Sequence, residues 1–195
     1  MRLLMLALMV IVTLPAYAAG PRVVVSLKPV HGLVADVMKG VGEPYLLLTA
    51  SADPHSHALR PSEARKLVQA NVVFWVGSNL EGFLRKPLLN LPSGSRVVPL
   101  LRNSRLLRLK QRQGGIWKVD DPDRNKVGEF DPHFWLDPRN ARIIVWQIVE
   151  VLSQIDPDNA ANYEINGKRL RLELTRLEHD IDELLAPVRT LPYFV

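Results

Sequence analysis

Five histidines are the residues of this chain best suited to chemistry, and two of them sit in the same short motif. The tripeptides Asp53-Pro54-His55 and Asp131-Pro132-His133 each place an imidazole directly after a proline. Proline fixes its own φ and restricts the residue before it, which holds the following side chain in a defined direction. Because a neutral imidazole is a good ligand for Zn²⁺, His55 and His133 are candidate metal ligands.

The residues alone leave a second interpretation of these tripeptides open. Asp-Pro is common at turns, and a histidine on a protein surface needs no function. His57 lies two residues after His55, so in an extended loop the two imidazoles would point to opposite sides. His57 is therefore kept as a further candidate ligand only. His31 is expected to start or pack a helix, and His179, within a charged stretch, is expected to face solvent.

The first half of the chain alternates the two kinds of segment that would have to position these loops. Apolar runs with strand character occupy residues 22–27, 45–49, 71–76 and 96–100. Between them, apolar residues spaced three and four apart predict helices over 31–39, 62–70 and 80–89. This alternation predicts an α/β fold with a mainly parallel sheet flanked by helices. In such sheets, ligands bind beyond the carboxyl ends of the strands.

The second half of the chain has a different organisation. Residues 103–129 have the composition of an exposed, mobile loop, and two helical patterns follow over 139–154 and 159–185. The second of these helices would be about 40 Å long, which is enough to run from one lobe towards another. Residues 192–195 have the character of an opening strand at the last position of the chain, so we expect a truncated protein.

The N-terminus has the pattern of an export signal. Arg2 precedes the apolar run from Leu3 to Leu14, and Ala16-Tyr17-Ala18 is a small-x-small processing site. The run is too short to span a bilayer, and the chain has no cysteine for a lipid anchor or a disulfide. We therefore expect a soluble periplasmic protein without a stable membrane anchor. The net charge of +5 is interpreted as surface basicity and not as nucleic-acid binding, because export removes access to nucleic acid.

Several motifs together resemble the ZnuA-like periplasmic zinc-binding proteins of ABC importers, which belong to the metal-receptor family of substrate-binding proteins. They cover almost the whole chain after the signal and comprise Ser26-Leu27-Lys28-Pro29-Val30, Pro54-His55-Ser56-His57-Ala58-Leu59-Arg60-Pro61-Ser62, Val73-Phe74-Trp75-Val76-Gly77, Leu80-Glu81 and Asp131-Pro132-His133-Phe134-Trp135-Leu136. The resemblance implies two lobes joined by one long helix, with the metal between them. It implies that His55 and His133 are the ligands of the first lobe and that the others lie beyond Val195.

On this resemblance the chain divides into a signal peptide at 1–18, an N-terminal metal-binding lobe at 19–155, an interlobe helix at 156–190 and the start of a missing second lobe at 191–195. The implied protein is a monomeric, non-enzymatic receptor that delivers Zn²⁺ to the membrane permease of an ABC importer. Zinc is preferred to Mn²⁺ or Fe²⁺ because residues 59–62 resemble the zinc branch. Two departures are His57, where tyrosine is usual, and the absence of histidine between Asn103 and Glu129.

Two other classes of protein are weighed against a receptor. His55, His57 and His133 are the residues from which a three-histidine zinc hydrolase would be built. Against it, the chain has no His-Glu-x-x-His helix, no Gly-x-Ser-x-Gly elbow and no cysteine nucleophile. An adhesion or structural protein would use the same fold without metal, and zinc would then leave its melting temperature unchanged.

Overall fold

Four short parallel strands form the centre of the computed structural model, which describes residues 20–49, 52–110 and 130–192. They are β1 (Val23–Val25), β2 (Tyr45–Leu46), β3 (Val72–Trp75) and β4 (Arg96–Pro99), in the order β2-β1-β3-β4. Every pairing between neighbours is parallel. The two central strands are buried along their whole length, which explains why both are continuous apolar runs. The predicted α/β fold with a parallel sheet is confirmed.

Five helices of regular α type accompany the sheet in the described residues. They are α1 (Lys28–Val37), α2 (Pro61–Val68), α3 (Arg85–Leu89), α4 (Pro138–Ile155) and α5 (Ala160–Leu185). Short 3₁₀ turns lie at Gly82–Leu84, Leu100–Arg102, Phe134–Leu136, Pro157–Asn159 and Ala186–Val188. α4 and α5 agree with their predicted bounds to within one residue.

Three helices differ from their predicted bounds by two residues or more, and one of them is α2, which ends at Val68 and not at residue 70. α1 begins three residues before His31, because Pro29 stands in its first turn, where the fixed φ of proline suits a helix. The prediction that His31 starts a helix is therefore wrong, since it lies inside the first turns of α1. The predicted helix over 80–89 is α-helical only from Arg85, after a 3₁₀ turn.

The helices cover both faces of the sheet. Buried residues of α1, α4 and α5 share one apolar cluster with Val23, Val25 and Phe74. Buried residues from α2 and α3 form a second cluster with Val24 and Val73, whose side chains point to the other face.

The chain moves outward from β1 to β2 and then crosses back to β3. Because crossovers are right-handed, this reversal puts α1 on one face and α2 on the other. It also creates a topological switch point between β1 and β3.

Some predictions concern residues outside the described part of the chain. The signal peptide at 1–18, most of the loop at 103–129 and all but the first residue of the strand opening at 192–195 fall there, so they stay predictions. The domain boundaries stay predictions as well. None of the helices in the described residues is both long and apolar enough to cross a membrane.

Candidate metal centre

His133 lies on a short loop that leads into α4. The carboxylate oxygen Oδ1 of Asp131 accepts hydrogen bonds from the backbone N–H of His133 and from its Nδ1, both at 2.8 Å. The ring contacts Trp135 edge-on at 5.3 Å between centroids, and 48% of the side chain is exposed. Since a carboxylate only accepts hydrogen bonds, Nδ1 carries the proton and Nε2 is the nitrogen with a lone pair for a metal.

The loop with His133 is fixed to the stretch that follows β4. The buried side chain of Asn140 accepts from the backbone N–H of Leu107 at 2.8 Å and donates to its carbonyl at 2.9 Å. The same amide donates to the carbonyl of Phe134 at 3.1 Å, and Asp131 N–H donates to the carbonyl of Leu109 at 2.9 Å. Asp137 caps α4 by accepting from Arg139 N–H at 2.8 Å. The backbone around His133 is thus held at both ends.

His55 lies in a turn of the same construction after β2. Oδ1 of Asp53 accepts the backbone N–H of His55 at 3.0 Å, and Oδ2 accepts the Ser56 hydroxyl at 2.6 Å. The hydrogen bond from Ser56, and then that from His55, hold the pKa of the Asp53 carboxyl below its usual range. The imidazole of His55 is exposed to solvent. In both tripeptides the aspartate therefore fixes the backbone of its own histidine, as in an Asx-turn.

His57 is directed inward. Its Nε2 lies 2.9 Å from Oε2 of Glu63, and only 10% of its side chain is exposed. The imidazole meets the Phe83 ring edge-on at 5.1 Å between centroids. Oε2 of Glu63 also accepts the backbone N–H of Arg60 at 2.8 Å, at the start of α2. Burial raises the pKa of the Glu63 carboxyl, but the hydrogen bonds from Arg60 and His57 outweigh it and leave the pKa lowered.

The topology brings the loops of His55 and His133 to the same edge of the sheet. All four strands are parallel, so the segments that follow β2, β3 and β4 leave from one edge. Ala52, Phe83 and Trp135 come from three of these segments and pack against one buried cluster. His133 and Asp131 line an open cavity of about 500 Å³ beside α5, whose described lining includes neither His55 nor His57. Across residues 20–49, 52–110 and 130–192, no three His, Asp or Glu side chains are grouped closely enough to hold a metal ion.

The other two histidines have structural surroundings. His31 Nε2 lies 2.9 Å from the carbonyl oxygen of Pro44, so this side chain joins α1 to the segment before β2. His179 has 71% of its side chain exposed and lies 3.2 Å from Glu183, one turn further along α5. Neither is on the loops that carry His55 and His133.

Glu81 is a buried acid that sequence analysis named only within the motif Leu80-Glu81, without giving it a role. It is fully buried beyond the carboxyl ends of β1 and β3, at the switch point of the sheet. Its Oε2 accepts the backbone N–H of Gly77 at 2.9 Å, whereas Oε1 and the nearby Ser26 hydroxyl make no hydrogen bond of regular geometry. Burial raises the pKa of the Glu81 carboxyl to about 7. A glutamate within an amphipathic pattern predicts an exposed side chain, so the local sequence gave no sign of this burial.

Three curated proteins that are similar to this chain carry the same name. The chain is 35% identical over 208 residues to the high-affinity zinc uptake system protein ZnuA of Brucella abortus (strain 2308), covering 91% of this chain and 62% of that protein. The protein of the same name from Paracoccus denitrificans is 32% identical, covering 90% of this chain and 60% of the relative. For Yersinia pestis the identity is 31%, with 98% and 64% covered. The chain spans about three fifths of the length of these relatives.

Solved structures share the fold. The structure of Zn(II)-bound AdcA from Streptococcus pneumoniae matches 84% of this chain and 32% of its own, with a TM-score of 0.69 and 22% identity. A Mn-bound periplasmic metal-binding protein from Candidatus Liberibacter asiaticus matches 87% of this chain and 56% of its own, with a TM-score of 0.61 and 23% identity. A family model described as "Zinc-uptake complex component A periplasmic" matches residues 23–195. The chain therefore belongs to the ZnuA family of periplasmic zinc-uptake components, as the sequence motifs predicted.

Proposed function

We propose that this chain provides the first lobe of a periplasmic receptor that captures Zn²⁺ and delivers it to the membrane permease of an ABC importer. The observation that carries the proposal is the pair of Asp-Pro-His turns at the carboxyl edge of the parallel sheet. In each turn the aspartate fixes the histidine backbone, and in one of them it also selects the nitrogen that is left for the metal. The zinc ion is cargo here, and no bond of a substrate is broken.

Zinc is favoured by the donor chemistry and by the relatives. Imidazole nitrogen suits Zn²⁺, whereas Mn²⁺ favours carboxylate and carbonyl oxygen. The similar proteins from Brucella abortus, Paracoccus denitrificans and Yersinia pestis carry the name of a zinc uptake protein. A receptor for Mn²⁺ or Fe²⁺ is the second candidate, because one protein of the same fold was solved with manganese.

The surroundings of the His57 side chain fit a receptor that captures zinc better than they fit a zinc hydrolase. A three-histidine hydrolytic site needs a third imidazole and an open position for water. His57 is the residue nearest in sequence to His55 that would provide it, but nine tenths of its side chain is covered and its Nε2 is engaged by Glu63. Two histidines provide half of a tetrahedral zinc site, so further ligands must come from outside the described lobe.

The test is a zinc titration of the full-length gene product against a competing chelator. We expect His55→Ala and His133→Ala each to weaken zinc binding by at least about tenfold, since each removes a direct ligand. His179→Ala is the matched control, because His179 is exposed on α5 and does not line the cavity that contains His133, and it should bind zinc like the wild type. Wild-type affinity in both of the first two variants would contradict the proposal. The same titration with Mn²⁺ distinguishes the two candidate metals.

A further inference from the structure

We propose that His57 is a positioning residue that fastens the His55 loop to the start of α2 through Glu63, and that it is not a ligand of the captured metal. The inference rests on the proposed function, because it gives one side chain a role within the same metal-capture site. It separates two histidines that are only two residues apart in the chain.

The first step of the argument is the hydrogen bond between the two side chains. The Glu63 residue is only 6% exposed, and a buried carboxylate needs hydrogen-bond donors to be stable. Its Oε2 has two, the backbone N–H of Arg60 and the imidazole of His57. Because a carboxylate oxygen only accepts, Nε2 of His57 carries the proton in this contact. With Nε2 engaged by Glu63, only Nδ1 of His57 could bind a metal, and a metal at Nδ1 would have to reach a ring of which nine tenths is covered.

The second step is the burial of the ring. Nine tenths of the His57 side chain is covered, and one edge lies against Phe83. His55, by contrast, is exposed. A metal shared by the two imidazoles would have to meet one ring at the surface and the other inside the loop, so their different exposure does not favour a shared site.

The third step is what the contact does for His55. The loop between β2 and α2 has no helix or strand across its described residues, 47–49 and 52–60. Asp53 fixes the backbone of His55 on one side, and the contact of His57 with Glu63 fixes the chain on the other. Phe83 belongs to the turn after β3, so His57 also joins the loop to the centre of the sheet edge. His55 is thereby held before the metal arrives, which lowers the entropy lost on binding.

Two variants of the full-length gene product separate a positioning residue from a ligand. His57→Gln keeps an N–H donor for Glu63 and removes the imidazole. His57→Phe keeps a ring against Phe83 and removes the donor. In the chelator-competition titration we expect His57→Gln to bind zinc within about threefold of the wild type, and His57→Phe to bind on the order of tenfold more weakly. If His57 were a ligand, both variants would lose at least as much affinity as His55→Ala, and that result would overturn the inference. Wild-type affinity in both variants would overturn it too.

A second measurement does not depend on how well the variants fold. In the ¹⁵N-labelled wild-type protein, we expect the His57 ring to show the Nε2–H tautomer without metal. At saturating zinc, both this signal and the chemical shift of Nδ1 of His57 should stay unchanged, while the His55 ring changes. A large change in the Nδ1 shift of His57 on zinc addition, or loss of its Nε2–H signal, would overturn the inference alone. Wild-type zinc affinity in His55→Ala and His133→Ala would instead overturn the proposed function, and the inference with it.

Discussion

At the residue scale, each candidate ligand is held in place by the aspartate two residues before it. Asp53 and Asp131 each accept the backbone N–H of the histidine two residues later. Asp131 adds a hydrogen bond to the ring of His133, which selects one nitrogen for the metal and fixes the plane of the imidazole. The short Asp-Pro-His motif thus contains both a candidate ligand and the residue that supports it.

Glu81 is a different kind of acid, because it is buried with few partners. Its carboxyl group faces the Ser26 hydroxyl and the backbone of Val76 and Gly77. Gly77 has a φ of +147°, a conformation that glycine adopts without steric cost, and this lets its N–H turn towards the carboxylate. Since the folded protein holds the Glu81 proton up to a pH of about 7, against 4.5 as the reference value, folding favours the protonated acid.

We predict that Glu81 makes the stability of the metal-free protein depend on pH. Its stabilising contribution is fully present below about pH 4.5 and is lost as the pH rises through about 7, because the raised pKa means that the folded state binds more protons in this interval. The free energy of unfolding of the wild type should therefore fall by up to about 3 kcal/mol between pH 4.5 and pH 8. Urea unfolding with a chelator present, repeated for Glu81→Gln, would measure it.

The Gln variant should lack this part of the pH dependence, since an amide does not titrate. Glu164→Gln, at an exposed position of α5, serves as the control for the change of charge. An unfolding free energy that falls equally steeply in the wild type and in Glu81→Gln would show that another group is responsible.

At the scale of elements, α4 and α5 pack closely because α5 has a glycine at the contact. Gly167 is buried, and a Cβ built on it would lie 2.3 Å from Cγ2 of Val149 on α4. Val149 is β-branched and has one strongly preferred rotamer in a helix, so it has little freedom to move away. The approach of the two helices therefore depends on the missing side chain of Gly167.

We predict that Gly167→Ala destabilises the protein even though alanine is the better helix former. Overpacking at a close contact typically costs about 1 to 3 kcal/mol, which exceeds the gain in helix propensity of about 1 kcal/mol. Gly32→Ala is the matched control. Gly32 lies in α1 with no atom within 4 Å of its added Cβ, so this variant should be more stable by about 0.5 to 1 kcal/mol.

Thermal or urea unfolding of the two variants beside the wild type measures both effects. Two stabilised variants would mean that Val149 moves aside at no cost and that the helices do not depend on Gly167.

At the scale of the whole molecule, α5 is anchored along one part only. Its 26 residues reach about 39 Å. The first half packs on the core through Tyr163 and Leu170, and Asn166 donates hydrogen bonds to the carbonyl groups of Val37 and Lys39 at the end of α1. Further along, Glu178 pairs with Arg142 of α4. From 179 to 185, every residue of the helix is exposed.

We predict that, in the 195-residue chain, the amide hydrogens of α5 exchange at different rates before and after Glu178. Amides at 163–174 should exchange slowly, because opening them requires α5 to leave the core. Amides at 179–185 should exchange at least about tenfold faster, since their helix is covered by no described surface. Mass spectrometry of peptides from the two halves would measure the difference.

Equal protection of the two halves would contradict this prediction and would mean that another surface covers residues 179–185. Repeating the exchange at a tenfold lower protein concentration is the control. Protection that then falls would identify a second copy of the chain as the covering surface.

The sequence by itself determined the class of the fold and which histidines are the candidate ligands. The periods of apolar residues are local signals, and they predicted the alternation of strands and helices and the bounds of α4 and α5. The Asp-Pro-His motifs are also local, because each turn is held by an aspartate two residues away. Together with the other motifs, they predicted the family to which the chain belongs.

Only the tertiary structure decided which side chains face one another. The strand order β2-β1-β3-β4, the burial of Glu81 and the contact of His57 with Glu63 all depend on how separate segments pack. His55 and His57 are two residues apart and have the same side chain, yet one is exposed and the other has nine tenths of its side chain covered. Residue type and spacing are equal for both, so the difference comes from the partners that folding brings to each, Glu63 and Phe83 in the case of His57.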